Sequence, residues 1–212
     1  MNLSNNKLGD LAGLAISKAL KRNGTLITID LQDNHLANQG LASLSEMLVV
    51  NTSLQALNIT NNRYGHDGTL ALAGAVADQR CCLFTLRMGG NSHGASSVAG
   101  HLALFKSLAA NRTIRVIDFA HSRVGGDGAE IKSLIKMIHK NATLTSIELP
   151  HNRIGNAGAE ALGRVIGELG KRTKKKKNSA ATAGSKWGTL RGFSMSSSMM
   201  SRAVAAATAA TR

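Results

Sequence analysis

Residues 144–154 read LTSIELPHNRI, and four upstream stretches repeat the sentence: LITIDLQDNHL at 26–36, LQALNITNNRY at 54–64, LFTLRMGGNSH at 83–93 and IRVIDFAHSRV at 114–124. Their first residues, Leu26, Leu54, Leu83, Ile114 and Leu144, lie 28, 29, 31 and 30 residues apart. A cut-off copy, LSNNKL at 3–8, opens the chain. Self-similarity at such a period means a stacked array. One unit cannot bury its own apolar face, so neighbours supply the cover and stability is close to a sum over units and seams.

The letters of one unit predict its shape. Ile114, Ile117 and Phe119 take inward positions, as do Leu144, Ile147 and Leu149, while Val116 and Asp118 alternate with the last two of the first set across a short strand. A polar position then closes each strand: Asn6, Asn34, Asn62, Asn91 and Asn152. Where the chain bends, an amide side chain can satisfy neighbouring backbone groups, so these residues are expected to stack into a structural ladder. Ser122 interrupts it and predicts a looser turn. A helix follows, with Gly40, Gly68, Gly128 or Gly158 in its first turn, small enough for the helix to approach the sheet. Apolar residues at helical spacing come next, as in Leu41, Leu44, Met47 and Leu48, or Ile131, Leu134, Ile135 and Ile138.

The pattern L-x-x-L-x-L-x-x-N-x-L, with the recurring G-x-x-G-A tail in GNAGAEAL at 155–162 and GGDGAEI at 125–131, resembles the leucine-rich repeat family. The long repeat is similar to its ribonuclease-inhibitor-like class, which includes ribonuclease inhibitor, activators of the Ran GTPase and the repeat regions of NOD-like receptors. The resemblance covers residues 1–170 and implies an α/β fold. That fold is a curved solenoid with short parallel strands inside, helices outside and about five and a half repeats. It implies binding work in general and no one function.

Charge divides the chain. Residues 1–170 hold 16 basic and 12 acidic residues, a net +4; residues 171–212 hold 10 basic and no acidic ones, a net +10, which together give the formal +14. Lys171, Arg172, Lys174, Lys175, Lys176 and Lys177 form a polybasic run, and the Ser, Ala, Thr and Gly beyond it cannot bury enough apolar surface to offset ordering entropy. The sequence therefore predicts a solenoid over 1–170 and a disordered tail over 171–212, with transient helix near 199–210. The Lys run reads as a solubilising brush, a nuclear address or a weak contact with nucleic acid or anionic membrane. Trp187, Leu190 and Phe193 fall at i, i+3, i+6 in a basic segment, an incidental cluster or a membrane or groove-binding face. Ser194 follows Arg191 by three, a pattern basophilic kinases accept.

Several chemistries lack the residues they need. Cys81 and Cys82 are adjacent and make no disulfide framework, so reduced thiols are expected. No uncharged apolar run reaches the roughly 18–20 residues of a membrane helix. Asn23, Asn51, Asn111 and Asn141 fit the glycosylation pattern, yet each lies three residues before a strand's first apolar position. The expected reason is a left-handed-tolerant Asn ending a helix. His121 and His151 hold equivalent positions with no third ligand beside them, so neither metal nor cofactor is expected. No phosphate-cradling loop and no spaced nucleophile and base occur.

Two columns remain for recognition. On the inner strand face stand Asp30, Gln32, Asn58, Thr60, Arg87, Asp118 and Glu148; just after the ladder stand Lys7, His35, Arg63, Ser92, Arg123 and Arg153, a basic loop ridge. The expected function is a non-enzymatic protein–protein interaction module or scaffold that binds a protein partner through either column. The alternatives are a GTPase-activating protein for a small GTPase, and tethering of nucleic acid or an anionic membrane by the tail. A cytoplasmic location is expected, or a nuclear one through the Lys run. Neither end carries a polar cap, which predicts a truncated product, an array docked on another chain or self-association through the ends, and marginal stability as a free monomer.

Overall fold

The computed structural model describes residues 1–91, 97–125, 128–180 and 193–194. Helices and strands alternate: α1 (Asp10–Leu20), β1 (Thr28–Asp30), α2 (Asn38–Leu48), β2 (Ala56–Asn58), α3 (His66–Ala77), β3 (Thr85–Arg87), α4 (Ser97–Ala110), β4 (Val116–Asp118), α5 (Gly128–Lys140), β5 (Ser146–Glu148), α6 (Gly155–Ala180) and β6 (Phe193–Ser194). The strands form one parallel sheet in chain order. Each helix packs on the next, so the array is the α/β leucine-rich-repeat solenoid its repeats predict.

Register is constant along the sheet. Ile29, Leu57, Leu86, Ile117 and Ile147 pair across successive strands, flanked by the rows Thr28–Ala56–Thr85–Val116–Ser146 and Asp30–Asn58–Arg87–Asp118–Glu148. The central row is buried, as are Leu31, Ile59, Phe119 and Leu149 two residues on, and Leu36, Leu41, Leu44 and Leu104 on the helix side. Tyr64 fills the place that Leu36 holds one repeat earlier, and its hydroxyl donates to Met88 O at 3.2 Å. Burial pushes that phenol well above its ordinary pKa, with the nearby Asp118 charge adding to the effect. At the other end Asn2 bridges Asp30 in parallel, and Leu3 N donates to Asp30 O.

Side-chain amides of Asn34, Asn62, Asn91 and Asn152 each bond a neighbouring unit, whereas that of Asn6 does not among the described residues. The amide nitrogen of Asn62 donates to Leu31 O, Ile59 O and Thr60 O, and its oxygen accepts from Leu36 N. Asn34 and Asn91 repeat the scheme with Leu3 O and Ile59 O of the preceding unit. Asn152 reaches Phe119 O at 2.8 Å, while Ser122 donates its hydroxyl to Ala120 O at 3.3 Å. Asn6 is exposed, and its side chain donates only locally, to Ser4 O. The residue before each ladder position is left-handed: Asn5, Asp33, Asn61, Gly90, His121 and His151 have φ between 50° and 73°. Glycine and the short polar side chains tolerate that region best, which explains the composition of the column.

Three sequence expectations need correction. The Asn of the glycosylation patterns are not left-handed. They form a second ladder at the helix-to-strand corner: the amide of Asn51 donates to Leu20 O at 2.7 Å and Asn23 O, and accepts from Ser53 N and Leu54 N. Asn111 and Asn141 do the same with Val76 O and Leu108 O. Gly40 and Gly68 approach the start of the preceding helix, not the sheet. Asp10 Oδ1 accepts from Ala37 N and Gly40 N, and Asn38 Oδ1 from Gly65 N and Gly68 N, so each caps the helix of the next unit. A Cβ on Gly40 would lie 2.6 Å from Asp10 Oδ1, whereas one on Gly128 would meet nothing within 4 Å. His66 holds the third place in this column, and its buried Nδ1 has no hydrogen-bond partner among the described residues.

The third correction concerns the tail. The boundary expected at 170 falls inside α6, which runs on to Ala180 through the Lys run. Lys is a good helix former, no Gly or Pro interrupts 171–180, and cations near a helix C-terminus are favoured by its dipole. Phe193 and Ser194 then pair with Ile147 and Glu148 as β6. The surrounding letters agree with that register: Leu190, Phe193, Met195, Ser198 and Met200 keep the intervals of Leu144, Ile147, Leu149, Asn152 and Ile154. Trp187 and the stretch 199–210 lie outside the described residues.

Candidate functional site

The strand face is built from side chains that the alternation turns away from the core. Its lower row is small and its upper row polar. At the first strands the polar row is tied together. Asn58 Nδ2 donates to Asp30 Oδ2 and Gln32 Oε1, both at 3.1 Å. Asp30 Oδ1 accepts from Gln32 N, and Asn58 Oδ1 accepts from Thr60 N, turns that shape each strand's exit. Thr60 is half-buried. Further along, Asp118 Oδ1 accepts from Ala120 N at 2.7 Å, and the residue is only 9% exposed, deeper than the sequence suggests. Glu148 is half-buried.

Arg87 stands exposed between Asn58 and Asp118 and forms no ion pair among the described residues. A shallow hollow of about 420 Å³ opens beside it, lined by Thr28, Asp30, Ala56, Asn58, Thr85 and Arg87 among others. Small residues in the lower row leave that space, and the polar row supplies donors and acceptors at its rim. Three carboxylates and one guanidinium share a single register row, and among the described residues none of them is placed as a nucleophile against a base.

The ridge is more dispersed. Lys7, Arg63, Arg123 and Arg153 are exposed and His35 is half-buried; Ser92 lies outside the described residues. Backbone bonds link these positions to the preceding unit, with His35 N donating to Leu8 O, Arg63 N to Leu36 O and Arg153 N to Val124 O. Next to them the rings of His121 and His151 stack, centroids 4.2 Å apart and 9° from parallel. Among the described residues no group of three or more His, Cys, Asp or Glu could hold a metal ion. Of the Lys run only the backbone is described, on α6. Cys81 is buried, which raises its thiol pKa, and Cys82 Sγ lies 3.3 Å from Arg80 O. Among the described residues no helix is long and apolar enough to cross a membrane.

Sequence reasoning missed one buried pair. His101 Nδ1 lies 2.7 Å from Glu130 Oε1, and Glu130 Oε2 accepts from Gly125 N, which pins the loop before α5. Both side chains are almost fully enclosed, with Phe105 and Phe119 against the imidazole. The available signal was two polar residues at inward helical positions about one repeat apart.

Comparison with known proteins agrees with this architecture. The family model described as Leucine Rich repeat matches residues 22–45 and 140–163. Ribonuclease inhibitor of Sus scrofa is 37% identical over 84 residues, which is 39% of this chain and 18% of the inhibitor. The Mus musculus ribonuclease inhibitor is 33% identical over 84 residues, with the same shares. The match thus spans less than a fifth of those relatives. A solved structure, Leiomodin-1 Actin-Binding Site 2 (ABS2), is similar over 87% of this chain and 88% of that one, at a TM-score of 0.47 and 16% identity. Residues 22–45 and 140–163 thus match leucine-rich repeats, and the chain is similar over 84 residues to the repeats of ribonuclease inhibitor.

Proposed function

We propose that this chain is a non-enzymatic protein-binding array that grips its partner along the strand face. The observation that carries the reading is the row Asp30–Asn58–Arg87–Asp118–Glu148, brought into line by constant register and bordered by small side chains. A fitting partner surface offers cations to the carboxylates and an acceptor to Arg87. Shape and charge together give such a face specificity more than raw affinity. The basic ridge and the Lys run add electrostatic attraction for an acidic rim on the same partner, or direct the protein's location.

The test is site-specific photo-crosslinking from Thr85 in the full chain, in parent, Arg87→Glu and Glu148→Arg forms. One defined partner captured by the parent and lost in both variants is the expected result. Equal capture by all three would overturn the strand face as the contact surface. GTP hydrolysis by a panel of small GTPases, measured with and without the chain, is expected to be unchanged; stimulation would favour the GTPase-activator reading.

A further inference from the structure

On the helix side, α4 and α5 flank a groove of about 680 Å³. Phe105 and Met137 form its buried base, and half-buried Leu102 and Ala109 line its walls. Four exposed cations surround it: Lys106 from α4, Arg112 from the turn after α4, and Lys136 and Lys140 from α5. No carboxylate lines it. The guanidinium of Arg112 is held in place by Ala109 O and Asn111 O, at 3.2 and 3.0 Å.

The same side of the first repeats is different. There Lys21 of the turn after α1 pairs with Glu46 of α2 at 3.2 Å. Among the described residues Lys106, Lys136 and Lys140 have no ion pair. On α5, Lys132, Lys136 and Lys140 also follow one another at i, i+4, so they repel along the helix. Unpaired lysines of both helices therefore gather at the α4–α5 seam beside the apolar side chains of Leu102, Ala109 and Ala110.

We infer that the α4–α5 groove is a second binding surface, for an acidic amphipathic helix of a partner protein. Apolar side chains of such a helix fill the trough while its carboxylates meet cations on both walls. The chain's own tail is excluded by charge, since residues 171–212 contain 10 basic and no acidic residues. Nucleic acid fits less well. Phe105 is fully buried, so the groove offers no aromatic ring for base stacking, and a phosphate backbone leaves Leu102, Ala109 and Ala110 uncovered.

The experiment titrates a fluorescein-labelled peptide, with Leu at i, i+3, i+4 and i+7 and Glu elsewhere, into the full chain. Lys106→Glu with Lys136→Glu is expected to weaken binding about tenfold or more. Both residues are exposed, so the fold should survive, which circular dichroism checks; Lys136→Gln alone gives an intermediate loss. Replacing the peptide's Leu by Ser is expected to cost a similar factor. Neutralising Lys174, Lys175, Lys176 and Lys177 to Gln, or introducing Arg87→Glu, should leave the affinity within about twofold. Loss of binding in the tail variant, undiminished binding by the groove variant, or equal binding of the Ser peptide would each overturn the inference. So would tighter, groove-dependent binding of a uridine-rich RNA oligomer.

Discussion

Asn58 and Asn62 are near neighbours in the same repeat, yet their amides do opposite kinds of work. Asn62 is buried, and its side-chain amide bonds backbone groups of two adjoining units. Asn58 is half-buried on the strand face, and its amide nitrogen reaches Asp30 and Gln32 side chains. The first recurs in nearly every copy; the second is Asp30, Arg87, Asp118 or Glu148 in the others. In this array, a polar residue that repeats and is buried holds the coil together, whereas one that varies and faces outward is available to a partner.

The strongest challenge to that contrast is Asn62→Ala. It strands several buried backbone groups and is expected to lower unfolding free energy by about 3 kcal/mol, measured by urea titration. A loss no larger than that of a surface substitution would break the comparison. Asp10→Ala removes one acceptor that caps a neighbouring helix and should cost about 1 kcal/mol in the same titration. Phe193→Asp sharpens the contrast at the sheet's end. If β6 covers β5, the backbone amides of Ile147–Leu149 should exchange hydrogen roughly tenfold faster in the variant, with overall stability little changed. Asn58→Ala should shift stability by less than about 0.5 kcal/mol while weakening partner capture.

The smallest effect is electrostatic. The third corner has no Asn; Asp78 ends α3 there and binds Arg80 through both carboxylate oxygens, at 3.0 and 2.9 Å. Those hydrogen bonds hold the carboxyl at about 2, below its ordinary 3.8. A depressed folded value means that the contribution is present at neutral pH and fades as pH falls from near 4 through 2. Because the pair lies at the surface, with Arg80 exposed and Asp78 half-buried, the expected readout is local. The Arg80 Nε–H resonance should keep its bonded shift at pH 4 and lose it near pH 2.

Strands, ladder and helix spans were legible because each rests on a periodic apolar or amide position within one unit. The corner Asn were visible as a column, but their reason was misread: a side-chain amide bonded to the previous turn and a left-handed backbone predict the same residue type. The Asp10 and Asn38 caps act on residues 27 to 30 positions away, a distance that only stacking brings to contact. The Phe193 strand was hidden by the gap from Leu144 to Leu190, longer than any between complete copies, and by Met in apolar places. The α4–α5 groove belongs to neither helix alone, so no single-segment pattern could announce it. On the strand face the alternation placed the outward row in register, but alternation alone carries no measure of depth, so the burial of Asp118 was not legible.

The side-chain bonds of Asn34, Asn62, Asn91 and Asn152 that leave their own coil all end on the adjoining one. Tension applied between the two termini would therefore load the seams in series. Such a molecule should yield in a sawtooth of small force steps, each releasing one coil's length of chain, rather than in a single rupture.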